Sequence, residues 1–202
     1  MYQKNTVIAA VSYVSFCLSV VIIALISNPY YPVRIISGES SVGTWLSELM
    51  LITVAVLSMV LCMQKGIWPW GMIALFFVYL ALDERFMYHE HLKERLLLIL
   101  RDKPPTAQWI GELPVLIGSI VGFVIALMLY KHFPNLITKV LLGSAVLCGI
   151  GSVAIDVACC GVFWEDLLKL MGELCLVCAF IWLVPLNTEE KKNVLQKRSD
   201  FV

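Results

Sequence analysis

An all-α integral membrane bundle of six transmembrane helices is the fold this sequence predicts, and three observations predict it. Of 202 residues, 60% are hydrophobic and only 15% charged, where a soluble domain carries roughly 25% charged residues. Six segments stay apolar over about 20 residues, the length that crosses a hydrocarbon core as a helix. In lipid each of them must be helical, because unpaired backbone groups find no water to bond. The formal net charge is zero, which leaves no electrostatic footprint for nucleic acid. The expected partners are the lipid bilayer and a lipid or small-molecule substrate.

The first span covers about 6–27. No small-x-small cleavage site follows it, so it reads as a retained helix rather than a secretory signal. The second covers about 44–64. The third begins near Ile67, with Pro69 in its first turn, and stays apolar to Leu82. Helical propensity continues beyond it to the Pro104-Pro105 break. One helix over 67–101 would be about 50 Å long, more than a bilayer core, so it protrudes or bends. Leu92, Leu96, Leu97, Ile99 and Leu100, mixed with Lys93, Arg95 and Arg101, suit an interfacial stretch. The fourth, fifth and sixth spans cover about 109–130, 136–158 and 165–186. Residues 1–188 thus form the membrane domain and 189–202 a polar tail. Trp68, Trp70 and Trp109 flank spans as an aromatic belt does, and His132, at a helix end, reads as surface.

With six spans both termini share a side. That side holds Lys4, Lys65, Lys131, Lys139, Lys191, Lys192, Lys197 and Arg198; the other holds Arg34, Arg85, Lys93, Arg95, Arg101, Lys103 and Lys169. Arg85, Lys93 and Lys169 lie within or against helices, and Lys191 to Arg198 resembles a cytoplasmic tail. The expected placement is a bacterial cytoplasmic membrane with both termini inside.

The acids divide more sharply. Of fifteen, only Glu189, Glu190 and Asp200 fall on the terminal side. The other twelve are Glu39, Glu48, Asp83, Glu84, Glu90, Glu94, Asp102, Glu112, Asp156, Glu165, Asp166 and Glu173. Five helices bring acids to similar depth near the non-cytoplasmic face. Charge inside a membrane is expensive, and acids that persist there line sites by default.

On a continuous third helix, Asp83, Met87, Glu90 and Glu94 share a stripe, with Glu84 and His91 within about 100° of it, whereas His89 points about 240° from Asp83. On a straight helix His89 and His91 therefore do not ligate one ion together; a bend between Arg85 and Tyr88 would change this. In the fourth span Glu112, Ser119 and Gly122 line up, in the fifth Gly149, Ser152 and Asp156. In the sixth, Glu165, Lys169 and Glu173 form a ladder beside Gly172, whose small side lets helices approach. Pro114, beside Glu112, suits a first turn.

Three chemistries fit. Asp83, Glu84, His89, His91, Glu90, Glu112, Asp156 and Glu165 are candidate ligands for a divalent metal, since carboxylate and imidazole suit zinc, iron or manganese. Such a metal would activate water for membrane hydrolysis, with Asp83, Glu84, His89 and Glu90 as catalytic groups. Alternatively the acids handle protons or cations in a coupled transporter. Lys169, Glu173 and Glu48 would then tune charge, as they would in the first case. In the third reading the acids only form interhelical salt bridges with Arg85, Lys169 and loop bases.

Cys175-Leu-Val-Cys178 is a CxxC, and Cys159-Cys160 is vicinal. Membrane thiol oxidoreductases place a CxxC near a helix start. This one lies about ten residues into a span, where apolar surroundings blunt thiolate chemistry; Cys159 and Cys160 are the more exposed candidates.

Leu82-Asp83-Glu84, followed after four residues by His89-Glu90, resembles a motif of uncharacterised bacterial multipass membrane proteins, LDE-x4-HE at a helix end. Their later acidic pair before a K-x-x-G helix is similar to Glu165-Asp166 with Lys169 and Gly172. The resemblance implies no particular activity and favours His89 over His91. A second comparison, with the alkaline ceramidase-like superfamily of membrane hydrolases, fails on its motifs. Those have seven spans and a His-x3-His pair, whereas the histidines here, at 89, 91 and 132, do not assemble a three-His zinc site. Any metal would be held mainly by carboxylates.

Overall fold

The computed structural model describes residues 2–27, 32–37, 41–99, 110, 113–157 and 161–199, with side chains described over 5–27, 33–37, 41–99, 110, 113–156 and 161–184. Every element among these residues is helical: α1 (Tyr2–Ser27), α2 (Pro32–Ile36), α3 (Val42–Lys65), α4 (Trp68–Phe86), α5 (Tyr88–Ile99), α6 (Leu113–His132), α7 (Leu136–Val157) and α8 (Val162–Ser199). Five of the helices are long and apolar enough to cross a membrane: α1, α3, α6, α7 and α8 up to Val184. The chain is therefore a helical membrane protein. The apolar core of the predicted third span lies in α4.

Two helical hairpins build the centre. α3 starts on Ser41, whose Oγ accepts from the Thr44 amide at 3.0 Å, and ends on left-handed Gly66 (φ 64°), whose N–H reaches the Cys62 carbonyl. A glycine takes that conformation without the Cβ clash other residues meet. Pro69 then opens α4 where no helical N–H is needed. α7 and α8 form the second hairpin. Gly172 permits their approach: a Cβ there would lie 3.1 Å from the Ala145 carbonyl oxygen and from Cys148 Cβ. α8 lies against α3, and α1 and α6 attach peripherally.

Phe180 is the hub of the core. Its ring meets Trp70, Phe77 and Phe133 edge-on, with centroids 5.9 to 6.4 Å apart, the arrangement aromatic quadrupoles prefer. Trp70 is only 1% exposed, which corrects its reading as a belt residue. The first turn of α4 folds inward against α8 and the His132 ring. Trp68, 74% exposed, keeps the surface position, and Trp109 lies outside the described residues.

The helix expected to protrude or bend over 67–101 takes the second course. It breaks at Met87, which adopts φ 48°, ψ 43° and caps α4 by donating its N–H to the Asp83 carbonyl at 2.7 Å. α5 then departs as a separate helix with no buried residue. Leu92, Leu97, Leu98 and Ile99 are exposed on it, as an interfacial helix requires.

Candidate functional site

α3 and α8 begin, and α4 ends, at one end of the bundle, and each carries charge there. α8 presents Glu165 and Asp166, four and three residues before Lys169, and Glu173 four residues after it, so each acid neighbours the lysine along the helix. Lys169 Nζ donates to Glu84 Oε2; the two side chains are 33% and 15% exposed. Glu173 and Asp166 are also within electrostatic reach of Lys169. One ammonium thus faces at least three carboxylates. Glu173 Oε1 accepts from Ser47 Oγ at 2.8 Å, whereas its Oε2 is buried with no hydrogen-bond partner. Arg85 approaches Glu48 at 3.5 Å with its own side chain 57% exposed, so that pair forms the rim and contributes about 1 kcal/mol or less.

The break at Met87 positions a second pair. Turning the chain there places His89 over the end of α4, where its backbone N–H donates to Asp83 Oδ1 at 2.9 Å and its Nδ1 lies 2.8 Å from Asp83 Oδ2. The straight-helix expectation that His89 faces away from Asp83 is thereby overturned. The hydrogen bond to Asp83 raises the His89 pKa above its usual 6.5, against the lowering effect of burial. The charges of Asp83 and Glu90 act with that bond and Lys169 acts against it. A histidine whose folded pKa is raised adds stability that is complete below its unfolded value and is lost as pH rises through the folded value. We expect hydrogen exchange at the start of α5 to accelerate as pH rises above about 6.5, once corrected for intrinsic exchange, and His89→Gln to abolish that excess.

Of the remaining candidates, the two on α5 face outward, whereas Glu165 stays near the other charges of α8. His91 is exposed and 3.9 Å from Glu94, and Glu90 is exposed. Glu165 is within electrostatic reach of Asp156, Asp166, Lys169 and Glu90. Glu112 lies outside the described residues. Among the described residues no three His, Cys, Asp or Glu side chains form a group that could hold a metal ion. The partners already named give the reason: Glu84 is engaged by lysine, Glu48 by arginine, and Asp83 by one imidazole. Cys17, Cys62, Cys148, Cys175 and Cys178 are free thiols, and Cys159 and Cys160 lie outside the described residues.

Two further polar contacts escape the sequence reading. Ser47 is a ligand of the Glu173 carboxylate, and deeper in the bundle Tyr13 Oη lies 3.2 Å from Thr53 Oγ1, within electrostatic reach of Glu173.

These features define a helical membrane protein with a carboxylate-rich end. The chain belongs to the family described as a domain of unknown function, DUF8692, whose match covers residues 6–184. Neither the curated proteins nor the solved structures contain a match to it.

Proposed function

We propose that this protein is a proton-coupled carrier in which Glu173 alternates between a proton and a small organic or inorganic cation. The observation that carries the reading is charge excess: Lys169 lies within reach of Glu84, Glu173 and Asp166. In a low-dielectric interior one ammonium does not compensate three carboxylates, so the cluster takes up a proton or a cation. Glu173 is the exchanging group because Lys169 hydrogen-bonds Glu84, while Glu173 keeps one oxygen buried and unbonded. Ser47 orients the other oxygen. Lys169 offsets one of the three carboxylates and so lowers the charge that the exchange has to balance.

α4 serves as a sixth span in this reading. Its 19 residues give about 29 Å at 1.5 Å each, close to the roughly 30 Å hydrocarbon thickness, and it is antiparallel to α3. Both termini are then cytoplasmic, with Lys191, Lys192, Lys197 and Arg198 after the last span, and the cluster opens toward the other face. The resemblance of Leu82-Asp83-Glu84 and His89-Glu90 to bacterial multipass proteins supports a bacterial cytoplasmic membrane.

The test is proton release. Detergent-purified protein in weak buffer with a pH-sensitive dye is titrated with sodium and with tetramethylammonium. One proton released per bound cation, and none from Glu173→Gln, is the expected result. Binding without proton release, or release that survives in Glu173→Gln, overturns it.

A further inference from the structure

A hollow of about 140 Å³ lies among α1, α2, α3 and α8. Its floor belongs to the core: Cys17, Ile35, Leu46 and Met50 line it and are at most 7% exposed. Its mouth belongs to the surface: Leu18 on α1 and Met171 on α8 line it too, and both are more than half exposed. The hollow therefore opens between α1 and α8 and leads inward to α3.

Both helices at the mouth are candidate membrane spans. Leu18 shares one face of α1 with Val11 and Ile22, which are exposed as well. In a bilayer that stripe meets acyl chains, so the mouth is continuous with the lipid-facing surface. The depth agrees. The walls on α3 begin at Val42, its first residue, and end at Met50, about 12 Å along the axis. One leaflet contributes about 15 Å of hydrocarbon.

Water fills such a space poorly. Among the described residues no charged side chain lines it, and a buried water needs two to four polar partners. An empty hollow is unfavourable too, because its walls forfeit dispersion contacts. An acyl chain restores those contacts and is as apolar as the walls themselves. The volume is close to the ~150 Å³ of cavities that take up benzene-sized hydrocarbon, so about six carbons enter.

We infer that the hollow holds part of one acyl chain of a bilayer phospholipid, which enters between Leu18 and Met171 and reaches Leu46 and Met50. The rest of the lipid stays in the bilayer. The site is separate from the charged cluster, since Glu84, Asp166, Lys169 and Glu173 are not among its walls, and it does not depend on the carrier reading.

Photolabelling tests it. Full-length protein is reconstituted in phosphatidylcholine–phosphatidylglycerol vesicles that contain a phosphatidylcholine with a diazirine in one acyl chain. After irradiation the labelled positions are mapped by peptide mass spectrometry. Leu46 and Met50 are expected to carry roughly fivefold more label than Val54 and Leu61, which are equally buried on α3 but close-packed and away from the hollow. Leu170→Phe and, separately, Leu174→Phe each place a ring in the hollow. Both should abolish that excess and leave labelling of the outward-facing Ile117 and Ile120 on α6 unchanged. Equal labelling of the two pairs in the unmodified protein overturns the inference, whether or not a variant folds; the hollow is then empty or covered by a second copy of the chain. An excess that persists in both folded variants overturns it as well. If a fatty acid bearing the same diazirine labels the floor and the phospholipid does not, the occupant is a free acid and the phospholipid assignment fails.

Discussion

Lys169→Met lowers the thermal midpoint of the detergent-solubilised protein sharply, and combining it with Glu84→Gln restores a large part of the loss. The single substitution leaves Glu84 without its hydrogen-bond donor and Glu173 and Asp166 without the cation they face. Removing one partner of a buried ion pair costs about 3–5 kcal/mol, chiefly because the other charge is left uncompensated. Lys169 is one-third exposed, so the lower end, about 3 kcal/mol, is the better expectation. Neutralising Glu84 as well removes one stranded charge, and the two substitutions are then strongly non-additive. Additive losses within about 0.5 kcal/mol would show that the two side chains are not energetically coupled.

Gly43→Ala is the second severe change, and its mechanism is steric. A Cβ at position 43 would sit 2.1 Å from the Ile36 carbonyl oxygen and 2.9 Å from the carbonyl carbon. Both are backbone atoms, so no side-chain rotation relieves the contact. α3 is held between α4 and α8, which leaves α2 as the element that moves. Its departure breaks the bond that Ser41 Oγ donates to the Ile36 carbonyl at 3.0 Å. Overpacking typically costs 1–3 kcal/mol, and about 3 kcal/mol is expected here because two backbones collide. Gly172→Ala serves as the milder comparison, since its nearest atoms would be at 3.1 Å. A thermal midpoint for Gly43→Ala no lower than that for Gly172→Ala would contradict the steric account.

The helical membrane class was legible because hydropathy over 20 residues reports directly on the solvent a segment requires. The expectation that acids gather at one end came from the same hydropathy, since span ends set depth. Rotation about each helix axis was not. Helices that are apolar on all sides give no stripe to orient them, so nothing in the sequence distinguished Ser47 as the partner of Glu173, or Trp70 as a core residue. A bend between Arg85 and Tyr88 was an open alternative, but nothing in the sequence decided for it or fixed it at Met87. Left-handed backbone is the habit of glycine and asparagine, and a methionine gives no warning of it. That one residue decides whether His89 meets Asp83, and so a local conformation controlled part of the candidate site. Lys169 was readable as a charge-tuning residue, but the choice of Glu84 over its neighbours depended on how α4 and α8 face each other.

Leu129 is the buried residue of α6, while Leu116, Ile117, Ile120, Phe123, Val124 and Leu127 all face outward. Such a helix is solvated by fatty-acyl tails along most of its circumference, and fluid tails adapt to any contour. Its outward positions should therefore exchange leucine, valine, isoleucine and phenylalanine freely, so that a substitution scan along α6 records oiliness. The same scan along α3, wedged between two neighbours, would record volume and shape at nearly every turn.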